Sequence, residues 1–274
     1  MSLAIVGIRK FWTRSATLVS LIIAVALVGL LLILEGFAYS SASKQADVQK
    51  STFEWLLTFP SAYDGVLAFT ASFAGIIGLI YVATVAGSEW TWGTLKVAVA
   101  RGQSRSQYAI ATFASLAILV LVGLVVTYAV GLLAAAIGGS LAGFKLGNPG
   151  DPTAVGQALV KLARAGIGLV ALTSLGYAIT MVAKSQMAGI GTVIGYFIVS
   201  IIGPAFLPDA VKEVFKYLPF SVASDAIGLQ GPPGSVSGSA NSIDPNLALL
   251  VAVAWLIGCL AVTAIAVERT EITG

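Results

Sequence analysis

Residues 109–137 read AIATFASLAILVLVGLVVTYAVGLLAAAI, a run of 29 residues without a charged side chain. An α-helix rises about 1.5 Å per residue, so about 20 apolar residues cross the hydrocarbon core of a bilayer, which is ~30 Å thick. A helix also satisfies every backbone hydrogen bond within its own segment, as lipid requires. The run therefore predicts a membrane-spanning helix.

Five more uncharged apolar runs, each of 18 to 22 residues, occur along the chain. They are residues 16–34, 65–86, 166–183, 188–207 and 246–267. None alternates apolar and polar residues over about ten positions, as a membrane β-strand does. The pattern predicts an all-α integral membrane protein in which residues 1–274 form a single transmembrane domain of six transmembrane helices.

The composition excludes several classes of function. The chain is 58% hydrophobic and 10% charged, whereas soluble domains carry about 25% charged residues. It has no histidine and one cysteine, Cys259, so we expect no metal site and no Cys/His nucleophile. It lacks the G-x-x-x-x-G-K-[ST] phosphate loop and any long basic run. We therefore expect no cofactor bound by this chain and no nucleic-acid partner.

The distribution of charge predicts the orientation in the membrane. The connections 1–15, 87–108, 184–187 and 268–274 carry eight Lys or Arg and three Asp or Glu, and the remaining connections carry seven and nine. Cytoplasmic connections are enriched in Lys and Arg. We therefore expect both termini to be cytoplasmic and the protein to lie in the inner (plasma) membrane of the cell, with the lipid bilayer around it.

Two segments outside the runs are amphipathic. Residues 2–14 alternate apolar side chains with Arg9, Lys10 and Arg14, which predicts an N-terminal helix in the membrane interface. A basic flank of the first span is the alternative reading. Residues 210–220 carry apolar side chains at spacings of three and four, which predicts an amphipathic helix at the outer interface.

The connection 87–105, GSEWTWGTLKVAVARGQSR, has the signals of a short helix. Ser88 is a suitable N-cap, Glu89 is favourable near the positive end of a helix, and Gly102 is placed to end it. These signals predict a helix of about 10–13 residues. Its two tryptophans, leucine and two valines are more apolar area than an aqueous loop needs, so we expect it to contact the bilayer interface or another protein.

Two patterns in this connection, Glu89-x-x-Trp92-Gly93-Thr94-Leu95 and Arg101-Gly102-x-Ser104-Arg105, resemble the cytoplasmic loop of ABC-2 type permeases. These permeases are the membrane subunits of ATP-binding-cassette exporters. The resemblance extends to the six spans, the N-terminal interfacial helix and the amphipathic segment ending in Tyr217-Leu218-Pro219-Phe220. One departure is a lysine that the family often has soon after Ser-Arg and that residues 108–111 lack.

The resemblance implies a division of labour between subunits. Two such permeases, identical or related, pair in the membrane, and two ABC ATPase subunits below them bind ATP and Mg. The loop helix would dock on the ATPase and transmit its closure to the spans, so this chain would be a transport subunit and not an enzyme. In segment 88–105 the residues implied for ATPase coupling are Glu89, Trp90, Trp92, Gly93, Thr94, Leu95, Arg101, Gly102 and Arg105. Anchoring of the two tryptophans in the bilayer interface is the alternative.

The spans themselves carry information about transport. They contain no charged residue, whereas ion-coupled carriers keep acids or bases in the membrane, so we expect the energy to come from a partner. Polar residues recur at spacings of three and four in the fourth and fifth runs. A candidate substrate path follows Thr173, Tyr177, Thr180, Thr192, Tyr196 and Ser200. Hydrogen bonding between helices is the alternative.

Small residues four apart, as at Ala74/Gly78 and Gly191/Gly195, let two helix backbones approach closely. We expect tight packing on these faces, within the bundle or against a second copy. The spacing leaves the partner helix open.

Taken together, these features predict the permease subunit of an ATP-driven exporter that works by alternating access on an amphipathic or lipophilic compound, such as a drug, a peptide or a lipid-like molecule. Two alternatives remain. An ATPase-coupled membrane protein could serve signalling or resistance without transport, through the same docking helix. An intramembrane lipid-modifying enzyme would need an activated nucleophile or a buried acid pair, and the spans hold hydroxyls without a charged residue to activate them.

Overall fold

The computed structural model describes residues 3–41, 47–206, 213–229 and 242–269. Helices account for most of these residues, and no strand occurs among them. The helices are α1 (Leu3–Trp12), α2 (Ser15–Ser41), α3 (Asp47–Leu57), α4 (Ala62–Thr91), α5 (Thr94–Ala100), α6 (Arg105–Leu141), α7 (Pro152–Ala183), α8 (Gln186–Phe206), α9 (Pro219–Asp225) and α10 (Pro245–Glu268). The all-α prediction is confirmed for this part of the chain.

Five of the helices, α2, α4, α6, α7 and α10, are long and apolar enough to cross a membrane. The chain is therefore a multi-pass membrane protein. Every predicted run lies within one helix, except that residue 207 falls outside the described residues. The fifth run forms α8, whose apolar stretch, Gln186–Val199, is shorter than those of the other five.

Two of the long helices begin at an Asp-Pro pair. Asp151 caps α7 by accepting hydrogen bonds from the backbone N–H groups of the next turn, and Asp244 caps α10 in the same way. Proline at the first helical position loses no hydrogen bond, because its missing N–H would have no partner there. This start extends α7 by 14 residues beyond the predicted run 166–183.

Helix α7 is the most buried of the candidate spans, and it packs against α4, α8 and α10. The small residues of α4 make one of these contacts close: a Cβ at Gly78 would touch side chains of Thr173 and Leu169 on α7. Among the described residues, no atom lies within 4 Å of a Cβ built at Gly191 or Gly195 on α8. The small-residue face of α4 thus packs inside the bundle, whereas that of α8 contacts no other described residue at these two glycines.

The helices place the connections at two ends of the bundle. The α5 end, as we call it, brings α1 and α5 together with the turn between α7 and α8 and the end of α10. Lys10 on α1 bonds Glu89, Lys184 lies 5.7 Å from the ring of Trp90, and Arg105 donates to the carbonyl oxygen of Glu268. The opposite, α3 end carries α3 and α9.

Two of the connections contain helical structure besides the long helices. Residues 40–63 contain the helix α3, which the sequence did not indicate. In the predicted amphipathic segment 210–220, residues 210–212 lie outside the described residues, and a break before Pro219 divides the described part. Residues 213–215 form a helical turn, residues 216–217 a turn, and a new helix starts at Pro219. Proline has no N–H to continue a helix and holds the preceding Leu218 in an extended conformation.

Replacing Gly78 by leucine is expected to destabilise the bundle, because the new side chain would enter the space held by Thr173, Val120 and Leu169. Overpacking of this kind costs about 1–3 kcal/mol. The melting temperature of the purified chain in detergent measures the effect. Gly191→Leu is the matched control and should melt like wild type, since no atom of the described part of the chain lies within 4 Å of its Cβ position. Equal melting temperatures for all three proteins would contradict the packing of α4 on α7.

Candidate functional site at Glu89 and helix α5

In the connection between α4 and α6, the helix boundaries differ from those that the sequence predicts. Ser88 does not cap a new helix: α4 continues through it to Thr91, and α5 then spans only the seven residues Thr94–Ala100. The Ser88 hydroxyl donates to the Val85 carbonyl within α4 and accepts a hydrogen bond from Arg14. The predicted cap and the predicted length of 10–13 residues are therefore wrong.

Two glycines delimit α5. Gly93 has φ +64° and Gly102 has φ +83°, the left-handed conformation that costs a residue with a Cβ about 1–2 kcal/mol. Gly93 separates α4 from α5, and Gly102 ends α5 while donating its N–H to the Val99 carbonyl. The prediction that Gly102 stops the helix is confirmed.

Glu89, in the last turn of α4, points into the protein and is only 2% exposed. Lys10 Nζ lies 2.9 Å from both of its carboxylate oxygens, and Arg14 Nη2 lies 2.8 Å from Oε1. Thr94 Oγ1 and the hydroxyl of Tyr108 each donate to Oε2 at 2.6 Å. These donors come from α1, from the turn after α1, from α5 and from α6, so one carboxylate joins four parts of the α5 end.

The energetics explain why so many groups surround one acid. A buried carboxylate without partners is costly, whereas one that is paired and hydrogen-bonded is tolerated. Two cations share this single negative charge. Arg14 also lies 4.9 Å from the ring centroid of Phe11 and 4.8 Å from that of Trp92, so cation–π contacts extend the cluster toward the surface.

The side chains of α5 and its N-terminal hinge divide into an inward and an outward set. Leu95 is 3% exposed, and Trp90 packs against the core. Trp92 is 64% exposed and Val97 is 50% exposed, and Arg101 is exposed at the end of the helix. The outward set, Trp92, Val97 and Arg101, is named the α5 surface below.

The nine predicted coupling residues therefore have different positions. Only two of them, Trp92 and Arg101, face outward. Glu89, Trp90, Thr94 and Leu95 hold α5 in place from inside, Gly93 and Gly102 bound it, and Arg105 begins α6 and bonds α10.

Sequence reasoning missed three residues that complete the site: Lys10, Arg14 and Tyr108. The sequence did contain a signal for the two cations. Lys10 and Arg14 are four residues apart, a spacing that places them on one side of a helix, and the α5 end carries few acids that could pair with them. Tyr108 stands in the stretch 108–111, where the resembling family often has a lysine. Here its hydroxyl donates to Glu89, and the positive charge comes from Lys10 and Arg14.

The predicted substrate-path residues lie mostly inside the packing. Thr173, Tyr177 and Thr180 are fully buried, and the Tyr177 hydroxyl donates to the carbonyl of Ala109 on α6. The hydroxyls of Thr173, Thr180 and Thr192 donate to carbonyls of their own helices, and Tyr196 accepts from the N–H of Phe220. The side chain of Ser200 lies outside the described residues. Only the contacts of Tyr177 and Tyr196 join different helices, as the alternative of hydrogen bonding between helices expects. The three threonine hydroxyls bond within their own helices.

A cavity of about 60 Å³ does lie elsewhere among the spans, between α2, α4, α6 and α7. Its walls are mainly apolar, with hydroxyls from Thr17, Ser20, Tyr81 and Thr127. Thr17 Oγ1 and the Tyr81 hydroxyl are 2.9 Å apart, whereas Thr127 Oγ1 is buried without a hydrogen bond to any described residue. The cavity thus has room for a small weakly polar group.

Residues 31–273 match the family model described as "Protein of unknown function (DUF2705)". The match includes Glu89, Thr94 and Tyr108, and it begins after Lys10 and Arg14. No curated protein matches the chain.

Replacing Glu89 by glutamine keeps the side-chain shape and removes the charge that Lys10 and Arg14 share. Breaking a buried ion pair from one side costs about 3–5 kcal/mol. Because the Lys10 side chain is 35% exposed, we expect the lower end of that range for the free energy of unfolding in detergent. Glu268→Gln, which neutralises an exposed carboxylate at the same end, should have almost no effect. Similar stabilities of the two variants would refute the stabilising role of the Glu89 charge.

Proposed function

The chain belongs to the DUF2705 family, whose description assigns no function, and we propose that it is the permease subunit of an ATP-driven ABC transporter. In this proposal the chain hydrolyses nothing itself. Two ABC ATPase subunits bind ATP and Mg, and a second copy of the chain or a related permease completes the membrane part. The direction, export, comes from the resemblance to ABC-2 permeases.

The observation that carries the proposal is a short helix that is rigidly held and has an apolar, aromatic outer face. Trp92 and Val97 are half or more exposed, beside Arg101, while Glu89 and Leu95 lock the helix from inside. Buried Trp and Arg are common anchors of protein interfaces. The patterns at 89–95 and 101–105 resemble the element with which ABC-2 permeases contact their ATPase.

The same contacts supply a route for motion. Helix α5 follows α4 after two residues and precedes α6 by four, so a displacement of α5 must move the ends of both spans. Glu89 adds α1 to this unit through Lys10. Closure of the ATPase dimer against the α5 surface would thus shift α1, α4 and α6 together, which is the kind of movement that alternating access needs.

The energy source fits this arrangement. The six apolar runs have no charged residue, and charge movement is the usual basis of ion coupling in the membrane. The sequence also lacks a phosphate-binding loop of its own. A partner that hydrolyses ATP and transmits its motion through α5 would supply energy without charged residues in the spans and without a phosphate-binding loop in this chain.

The proposal includes a topology. Helix α8 is the sixth span, since its 21 residues extend about 32 Å, close to the thickness of the hydrocarbon core. The α5 end is cytoplasmic because the connections assigned to it carry the excess of Lys and Arg. Both termini then lie in the cytoplasm, and the membrane is the inner (plasma) membrane.

The interior supports the substrate class that we propose. The cavity among the spans is apolar, with four hydroxyl-bearing residues and no charged lining residue. Such walls favour an amphipathic or lipophilic compound, a drug, peptide or lipid-like molecule, over a sugar or an ion.

Replacing Trp92 by alanine is expected to weaken association with the ATPase encoded beside this chain. Loss of a central aromatic anchor costs about 2 kcal/mol or more, roughly 30-fold in affinity. Co-purification of the pair and ATP turnover of the reconstituted complex measure the effect. Trp12→Ala is the matched control, since Trp12 is an exposed tryptophan at the same end but outside the α5 surface. Wild-type association of Trp92→Ala would refute docking through α5.

The topology is tested by cysteine labelling in closed vesicles. Cys259 is buried, so labelling by an impermeant maleimide reports on introduced thiols. Ser104→Cys should label only from the cytoplasmic side and Lys145→Cys only from the other, because these exposed positions lie at the α5 end and the α3 end. Labelling of both from one side would overturn the proposed topology.

A further inference from the structure

A pocket of about 290 Å³ lies at the α5 end between α1, α5 and α6. Its polar lining consists of Lys10, Thr94, Arg101, Gln103, Tyr108, Thr112 and Ser115. Its apolar lining consists of Gly7, Phe11, Val97, Ala98 and Ala111. Three separate helices thus meet around one space that has a polar and an apolar side.

The pocket has a surplus of positive charge. Lys10 and Arg101 contribute cations, and no carboxylate is among the described residues that line it. The nearest acid, Glu89, has a single charge that is already shared between Lys10 and Arg14. In the described part of the chain no carboxylate pairs with Arg101, whose guanidinium has five N–H donors. An anion in the pocket would therefore be attracted and would find free donors.

The depth of the pocket matches the boundary of the membrane. Tyr108 directly precedes the apolar run 109–137 and Ala111 is its third residue, so the pocket lies where the polar end of α6 becomes apolar. Ala111 and the half-exposed Val97 supply the accessible apolar part of its wall. Lipid phosphates occupy this depth in a bilayer, with their acyl chains directed to the core.

We propose that this pocket binds the phosphate headgroup of an anionic phospholipid. The phosphate accepts hydrogen bonds from Arg101 and from the Gln103 amide and lies beside Lys10, and the start of an acyl chain packs on Val97 and Ala111. A free phosphate, whether inorganic or on a soluble metabolite, has the same charged group. A free phosphate has no acyl chain to contact the apolar wall of the pocket. We therefore assign the pocket to a lipid.

The bound lipid would join α1, α5 and α6 in addition to the Glu89 cluster. Loss of the lipid would loosen α5 without breaking the buried ion pairs. Val97 and Arg101 also belong to the α5 surface, so the inference is tested on the chain without an ATPase and does not depend on the proposed partner.

The test uses the purified full-length chain in a neutral detergent, with phosphatidylglycerol or phosphatidylcholine added in increasing amounts and bound lipid counted by native mass spectrometry. Wild type should retain phosphatidylglycerol in preference to phosphatidylcholine. Arg101→Gln should weaken that retention by about fivefold, the effect of one cation near an anionic surface. Arg9→Gln is the matched control, because Arg9 is an exposed cation of α1 that does not line the pocket.

A second variant guards against a folding defect. Val97→Glu adds a carboxylate to the pocket wall at a half-exposed position, so it should also reduce phosphatidylglycerol retention while its melting temperature in phosphatidylcholine stays at the wild-type value. Equal retention by wild type, Arg101→Gln and Val97→Glu would overturn the proposal, and so would an equal loss in Arg9→Gln.

Glycerol phosphate separates the two sources of the phosphate group. At the same concentration it should displace little phosphatidylglycerol from wild type. Full displacement would show that the pocket takes a soluble phosphate and would refute the lipid assignment.

Discussion

The α5 end depends on one buried negative charge. A carboxylate that is 2% exposed must be neutralised and hydrogen-bonded, and the last turn of α4 cannot do this for Glu89 by itself. The partners have to come from elsewhere: Lys10 and Arg14 from the first residues of the chain, Thr94 from α5 and Tyr108 from α6. Satisfying this single group therefore sets the relative positions of four segments.

The short helix α5 shows what this constraint achieves. A seven-residue helix is far below the length at which an isolated helix is stable in water. Here Gly93 and Gly102 set its ends, Leu95 buries its apolar side, and Thr94 ties it to Glu89. These contacts inside the bundle thus offset the conformational entropy lost when α5 becomes ordered. Its outer face, with Trp92 and Val97, stays at least half exposed among the described residues.

Much of the fold could be predicted from the sequence, and the errors have identifiable causes. The apolar runs were located correctly because lipid imposes the same length and the same backbone hydrogen bonding on any spanning helix. The prediction of a cap at Ser88 was wrong because α4 continues through this residue. Arg14, which is 74 residues away in the sequence, donates a hydrogen bond to the Ser88 hydroxyl instead. The break at Pro219 was readable from proline chemistry, whereas the helix α3 had no periodic signal strong enough to predict it.

The candidate site was predicted in part. Trp92 and Arg101 face outward as a docking element requires, and Gly102 ends the helix as predicted, because these properties depend on residue type and local backbone. The inward position of Glu89 and the burial of Thr173, Tyr177 and Thr180 could not be predicted in this way, since spacing along one helix does not say which neighbour covers a face. The sequence by itself determined where the apolar helices lie and the excess of cations in one set of connections, because length and composition decide what lipid accepts. Only the tertiary structure decided that Lys10, Arg14, Thr94 and Tyr108 meet at one carboxylate, because a buried charge selects its partners by distance in space and not along the chain.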